Sequence, residues 1–183
     1  MEITIIRSRR KTLALQIAAD GRVIARAPMR MPEAEIRRFC EEKRQWIESK
    51  RQQVLGERRQ ADEQGIFTAE ELQRLTARTR SLVTQRAAYY APLLGVTYAR
   101  ISVRRQHSRW GSCGTNGNLS FHCLLALMPS EVADYIVVHE LCHRKQMNHS
   151  PAFWREVARI LPNYGAARQW LKTEGRVLMR RLP

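Results

Sequence analysis

His139-Glu140-Leu141-Cys142-His143, followed after five further residues by His149, decides how the rest of the chain is read. Residues four apart on an α-helix stack on one face, so a helix here aims two imidazoles at a single point and forms a two-pronged metal clamp. Glu140 lies about 100° round the helix from His139 at 3.6 residues per turn, outside the clamp but within reach of a water on the metal. It is the candidate general base. A catalytic zinc takes three protein ligands and leaves a fourth position for water, and His149 is the candidate third ligand. Pro151 keeps Ser150 away from helical geometry. The helix is therefore expected to end between residues 144 and 148, with Asn148, which tolerates the left-handed conformation, as the turning point that brings His149 back.

The surrounding residues strengthen that reading. The preceding stretch Val132-Ala133-Asp134-Tyr135-Ile136-Val137-Val138 is strongly apolar, as suits a buried helix that carries polar ligands inward for a purpose. Three of the five histidines fall between residues 139 and 149. The spacing equals that of the metzincin motif, but Gln146 stands where that motif has glycine, which argues against the metzincins.

With 183 residues the chain can bury a proper core without disulfides. Its four cysteines, Cys40, Cys113, Cys123 and Cys142, form no C-x-x-C pair and no secretory signal peptide precedes them, so a reducing cytoplasm is expected. Cys113 and Cys123 stand ten residues apart, which is not a zinc-finger spacing, and they read as small buried thiols. No apolar run approaches the eighteen or so residues of a membrane span. Lys and Arg number 32 against 17 Asp and Glu, for a net charge of +15. That surplus allows an anionic partner such as nucleic acid, or equally a solvated arginine-rich surface.

Working outward to the N-terminus, Ile3–Ile6, Leu13–Ile17 and Val23–Ala25 alternate as short strands, with Asp20-Gly21 as a hairpin turn, and predict a β-meander over residues 1–30. Residues 31–95 show helical periodicity and predict two long helices. The charged stretch 56–65 is the expected link between them, and Thr68-Ala69-Glu70-Glu71 is a capping box opening the second, which Gly95 ends. Leu72, Leu75, Leu82, Val83 and Tyr89 form its expected core stripe. Residues 96–183 are the expected catalytic core. There Ile101–Arg104 and Leu119–His122 read as strands, Asn116-Gly117 as a hairpin turn, and Gly111 and Gly114 as positions free to take unusual backbone angles. The strands are the candidate wall for an extended substrate. Ser150-Pro151 opens a further helix that Pro162-Asn163 stops.

Arg109-Trp110-Gly111-Ser112-Cys113, His139-Glu140-Leu141-Cys142-His143, Asn148-His149-Ser150 and Phe153-Trp154 together resemble the YgjP-like metallopeptidase-domain family, itself similar to the SprT-like zincins. The resemblance covers essentially the whole chain as a single domain. It implies an α+β fold with an active-site helix beside a small antiparallel sheet in a compact zincin-like core, zinc on His139, His143 and His149, and Glu140 as acid and base. It leaves the substrate open. Peptide-bond hydrolysis is the first reading. The second is a nucleotide phosphoanhydride, favoured by the positive charge, and the third is a nucleic-acid-binding module in which zinc is structural. Arg109, His122 and Tyr164 are the candidates to stabilise charge developing on a substrate oxygen.

Overall fold

Both expected groups of strands form sheets, and each departs from expectation in the same way. A computed structural model describes residues 2–183. It is an α+β structure whose contacts separate a first unit, ending at Gly65, from a second, Ile66–Pro183.

In the first unit β1 (Ile3–Ser8), β2 (Ala14–Ile17) and β3 (Val23–Pro28) lie in the order β1-β3-β2, with β1 parallel and β2 antiparallel to β3. This corrects the meander, in which β2 would be central. Burial explains the order: Val23, Ala25 and Ala27 of β3 are at most 3% exposed, so the most buried strand takes the middle and pairs on both edges. The Asp20-Gly21 turn closes β2 to β3 as expected, with Gly21 at φ 85°, a region that glycine enters without steric cost. The Arg7 guanidinium donates to the carbonyls of Pro28, Met29 and Met31 and fastens the far end of the sheet.

Two helices complete this unit, α1 (Glu33–Glu42) and α2 (Arg44–Gln64). The charged stretch expected to be a link is therefore helical as far as Gln64, and residues 31–95 hold three helices. Arg, Glu, Gln and Ala are all good helix formers, and Val54 and Ala61 keep a buried stripe through a segment that looks uniformly polar.

The second unit opens with α3 (Ala69–Leu94). The capping box is present: Glu71 N–H donates to Thr68 Oγ1 at 3.2 Å, and Glu71 Oε2 accepts from Thr68 N–H at 2.7 Å. Gly95 ends the helix in the left-handed conformation, φ 67°. In the core stripe Tyr90 replaces the expected Tyr89, which is 61% exposed. Tyr90 Oη donates to Asp134 at 2.9 Å and Arg86 pairs with the same carboxylate at 3.0 Å, tying α3 to the metal-motif helix.

Strands β4 (Ile101–Arg104), β5 (Gly111–Cys113) and β6 (Leu119–His122) follow in the order β4-β6-β5. β4 is parallel to β6 and β5 antiparallel, so the sheet is mixed and not purely antiparallel. Leu119 and Phe121 are fully buried, and β6 again takes the centre because it is the most buried strand. Gly117, at φ 80°, closes the β5–β6 hairpin. Gly111 and Gly114 take no positive φ, contrary to expectation.

A short 3-10 turn leads into α4 (Ser130–Cys142), then α5 (Pro151–Ile160), α6 (Tyr164–Lys172) and α7 (Glu174–Arg180). α4 is the buried centre of this unit: Val132, Ile136, Val137, Val138, Leu141 and Cys142 are at most 3% exposed. At about 25 cal/mol per Å² of apolar surface, a helix buried on nearly every side is fixed by its neighbours far more than by its own propensity. All four cysteines are free thiols; Cys123 is buried as expected, whereas Cys113 is only half-buried. No described helix is long and apolar enough to cross a membrane.

Candidate metal centre

α4 places His139 and His143 one turn apart with ring centroids 5.0 Å from each other. The helix stops at Cys142, slightly earlier than expected, and His143 is its cap residue. A tight turn follows, in which Arg144, Lys145 and Gln146 N–H groups donate back to Leu141 and Cys142. No described residue other than glycine has positive φ, so Asn148 does not turn the chain through the left-handed region. Its side-chain oxygen accepts from Ser150 N–H at 3.3 Å instead. Ser150 Oγ in turn accepts from Phe153 N–H at 3.5 Å and starts α5.

That turn brings His149 back to the helix. One nitrogen from each of His139, His143 and His149 lies within 4.8 Å of the other two. His143 Nδ1 donates to the Gln146 carbonyl at 3.1 Å, which leaves Nε2 with a free lone pair. The residue that departs from the metzincin pattern thus orients a ring through its backbone. Tyr135 Oη lies 3.3 Å from His139 Nδ1 and steers that ring in the same manner, so the Nε2 atoms turn inward.

The chemistry of this donor set fits a metal ion. His139 Nε2 and His149 Nε2 face one another at 3.0 Å, a separation at which two lone pairs need a proton or a cation between them. Burial, reinforced by the neighbouring His143 and His149, pushes the His139 pKa down to about 3, and burial lowers that of His143. Both imidazoles are neutral at pH 7, the form that ligates. Phe153, on α5, lies beneath all three rings, its centroid 4.7–4.8 Å from each. Trp154 stacks on His149 at 5.7 Å and on Tyr164 at 5.5 Å, while the Arg168 guanidinium lies 4.4 Å over the Trp154 ring.

Glu140 is 5% exposed and points to the β5 side of the helix. Burial raises its carboxyl to about 8, against the opposing pull of Arg109. The reason for glycine at position 111 is here: a Cβ on Gly111 would lie 2.5 Å from Glu140 Oε1 and 2.7 Å from its Cγ. The Trp-Gly-Ser element makes room for the carboxylate, a role quite different from backbone freedom. Of the other candidates, Arg109 and Tyr164 lie beside the site. His122 does not: it is fully buried, its Nε2 donates to the Gln106 carbonyl at 2.6 Å and its Nδ1 accepts from Leu124 N–H at 3.1 Å. Sequence reasoning overlooked Tyr135 and the part played by Phe153. Tyr135 stands four residues before His139, and that spacing was its signal.

Three comparisons bear on identity. The family profile described as "YgjP-like, metallopeptidase domain" matches residues 11–74 and 68–174. Among solved structures, the metallopeptidase zymogen of Pyrococcus abyssi abylysin is similar at 23% identity and a TM-score of 0.45, over 50% of this chain and 95% of that one. No curated protein matches the chain. With the family profile spanning most of its length and crossing the boundary between the two units, the chain belongs to the YgjP-like metallopeptidase-domain family.

Proposed function

We propose that the protein is a zinc-dependent peptidase in which His139, His143 and His149 hold the metal and Glu140 is the general base. The convergence of three imidazole donors beside a buried carboxylate is the observation that supports this best. Three ligands, not four, suit a catalytic site more than a structural one. Zinc held there would lower the pKa of water from near 16 toward about 7 and polarise a substrate carbonyl.

The chain's own groups supply the rest. Glu140 takes the proton from the attacking water on a carboxylate oxygen and returns it to the leaving nitrogen, a transfer worth about 10²–10⁴-fold in rate. Beside a dication its carboxyl ionises more readily than burial alone allows. Tyr135 and the Gln146 carbonyl hold the ligand rings in register, and Phe153 keeps one side of them dry. Among the described residues β5 pairs with β6 alone, so its other edge is free to receive an extended peptide beside Glu140. Arg109 and Tyr164 remain the candidates to steady charge on the substrate oxygen. We take residues 1–183 to act as a single metallohydrolase domain with 96–183 as the catalytic core, a reading supported by the extent of the family match.

The test is hydrolysis of unfolded proteins and a mixed peptide library by the full chain. Cleavage should stop on chelation and return with stoichiometric zinc. Cleavage that persists in the chelated, metal-free protein would contradict the proposal.

A further inference from the structure

A second feature of the Ile66–Pro183 unit lies outside the metal centre. Between Glu71 and Glu131 the chain contains eight arginines and no Asp or Glu. Arg74 and Arg86 pair with Glu70 and Asp134, whereas Arg78, Arg80, Arg100, Arg104, Arg105 and Arg109 make no ion pair among the described residues. Five of these six line two adjoining grooves. One, of about 620 Å³, lies over the outer face of β4-β6-β5 and takes in Arg100, Arg104, Arg105 and Arg109. The other, of about 980 Å³, runs along α3 and takes in Arg80 and again Arg105. Arg105 joins them.

The register shows why this face is polar. Ser102 is the partner of Ser120 and Ser120 of Ser112, so three hydroxyls form a row across the sheet on one face. The flanking residues Leu119 and Phe121 point into the core. Gln106 and Asn118 add amides to the row, and Thr76, Ser81, Thr84 and Gln85 continue the polar lining along α3. Neither groove is lined by Phe, Tyr or Trp, and the larger has a single carboxylate, Glu70.

We propose that the β4-β6-β5 outer face and the adjoining face of α3 bind the phosphodiester backbone of a nucleic-acid duplex. Arginine together with Ser, Thr, Asn and Gln is the side-chain set that contacts phosphate and sugar oxygens. The lack of these large stacking rings argues against a platform for unpaired bases and leaves backbone contact as the mode of binding. A duplex offers about one negative charge per 1.7 Å of axis, a repeat that suits a long row of guanidiniums. An acidic peptide carries side chains that seek apolar pockets as well, and the groove over the sheet is lined almost wholly by polar side chains. Arg109 alone of these arginines also lies beside Glu140; neither groove is lined by the three histidines or by Glu140, and the proposed binding does not depend on what the metal centre does.

Fluorescence anisotropy of the full-length chain with labelled 20-base-pair DNA and RNA duplexes tests this, with a single strand and polyglutamate as competitors. Replacing Arg100, Arg104 and Arg105 together by Gln should weaken duplex binding at least tenfold. It should also lower the salt slope by roughly 2–3, at about 0.9 for each phosphate that is no longer neutralised. The same three positions changed to Lys should keep most of the affinity. Arg9, Arg30 and Arg59 changed to Gln in the first unit remove equal charge and should cost less than threefold. Melting followed by circular dichroism verifies that each variant is folded. The DNA and RNA arms identify which backbone is preferred. Equal losses in the two Gln triples, an unchanged slope in the first, no duplex binding at low salt, or stronger competition by single strand or polyglutamate would each overturn the proposal.

Discussion

The two sheets share one topology and differ in what they carry. In each the third strand is central, the first pairs parallel to it and the second antiparallel, and a glycine near φ 80° closes the hairpin. The first sheet packs aliphatic residues around Ala25 and Ile36, and its adjoining groove of about 820 Å³ mixes five carboxylates with three arginines, two of them paired with Asp20 and Glu41. The second sets Gly111 against a buried glutamate and faces outward with unpaired arginines. Topology therefore builds a support, and the chemistry enters through a few side chains placed against an equivalent frame.

The largest expected effect lies in the second unit. His139→Ala should reduce zinc affinity by more than about a hundredfold, the upper range for groups one shell further from a metal, as read by competition with a chelating dye. A pH dependence should divide the two units as well. Burial pushes the His122 pKa down to about 4 from 6.5, so below 6.5 the unfolded chain binds a proton that the folded chain refuses. The stability due to His122 is fully present above 6.5 and is lost as pH falls toward 4, on the order of 3 kcal/mol. Hydrogen exchange on the full chain should show that slope at β6 amides and not in His122→Gln. It should be absent from residues 2–65, which contain no histidine.

Matched glycines give the smallest effects. Gly111→Ala drives a Cβ into Glu140 and should cost about 1–3 kcal/mol, together with loss of hydrolysis, because a buried side chain cannot swing clear. Gly21→Ala meets only positive φ and the flexible Leu55 side chain, and should cost about 1 kcal/mol without touching hydrolysis. Denaturant melts with parallel rate measurements separate the two. Equal effects at both positions would break the distinction between support and site.

Much of the centre was legible because it is local. The i, i+4 histidines, the capping box at Thr68, the Ser150-Pro151 helix start and both X-Gly hairpins are short-range patterns, and each took the form expected of it. Strand order was not legible, since alternation within β1 says nothing about which strand will lie beside it. α2 was read as ending before Gly56 because its outer face is almost wholly charged, although its residues favour helix. Gly111 misled for a similar reason: glycine marks both unusual φ and close approach, and only the tertiary neighbour, Glu140, distinguishes them.

The central claim, that Glu140 supplies the base beside a three-histidine metal centre, is tested most directly by Glu140→Gln, with metal content and peptide hydrolysis measured on the same sample. The account predicts one zinc per chain, as in wild type, with hydrolysis reduced by about 10²–10⁴-fold. Full hydrolytic rate with zinc still bound would contradict it.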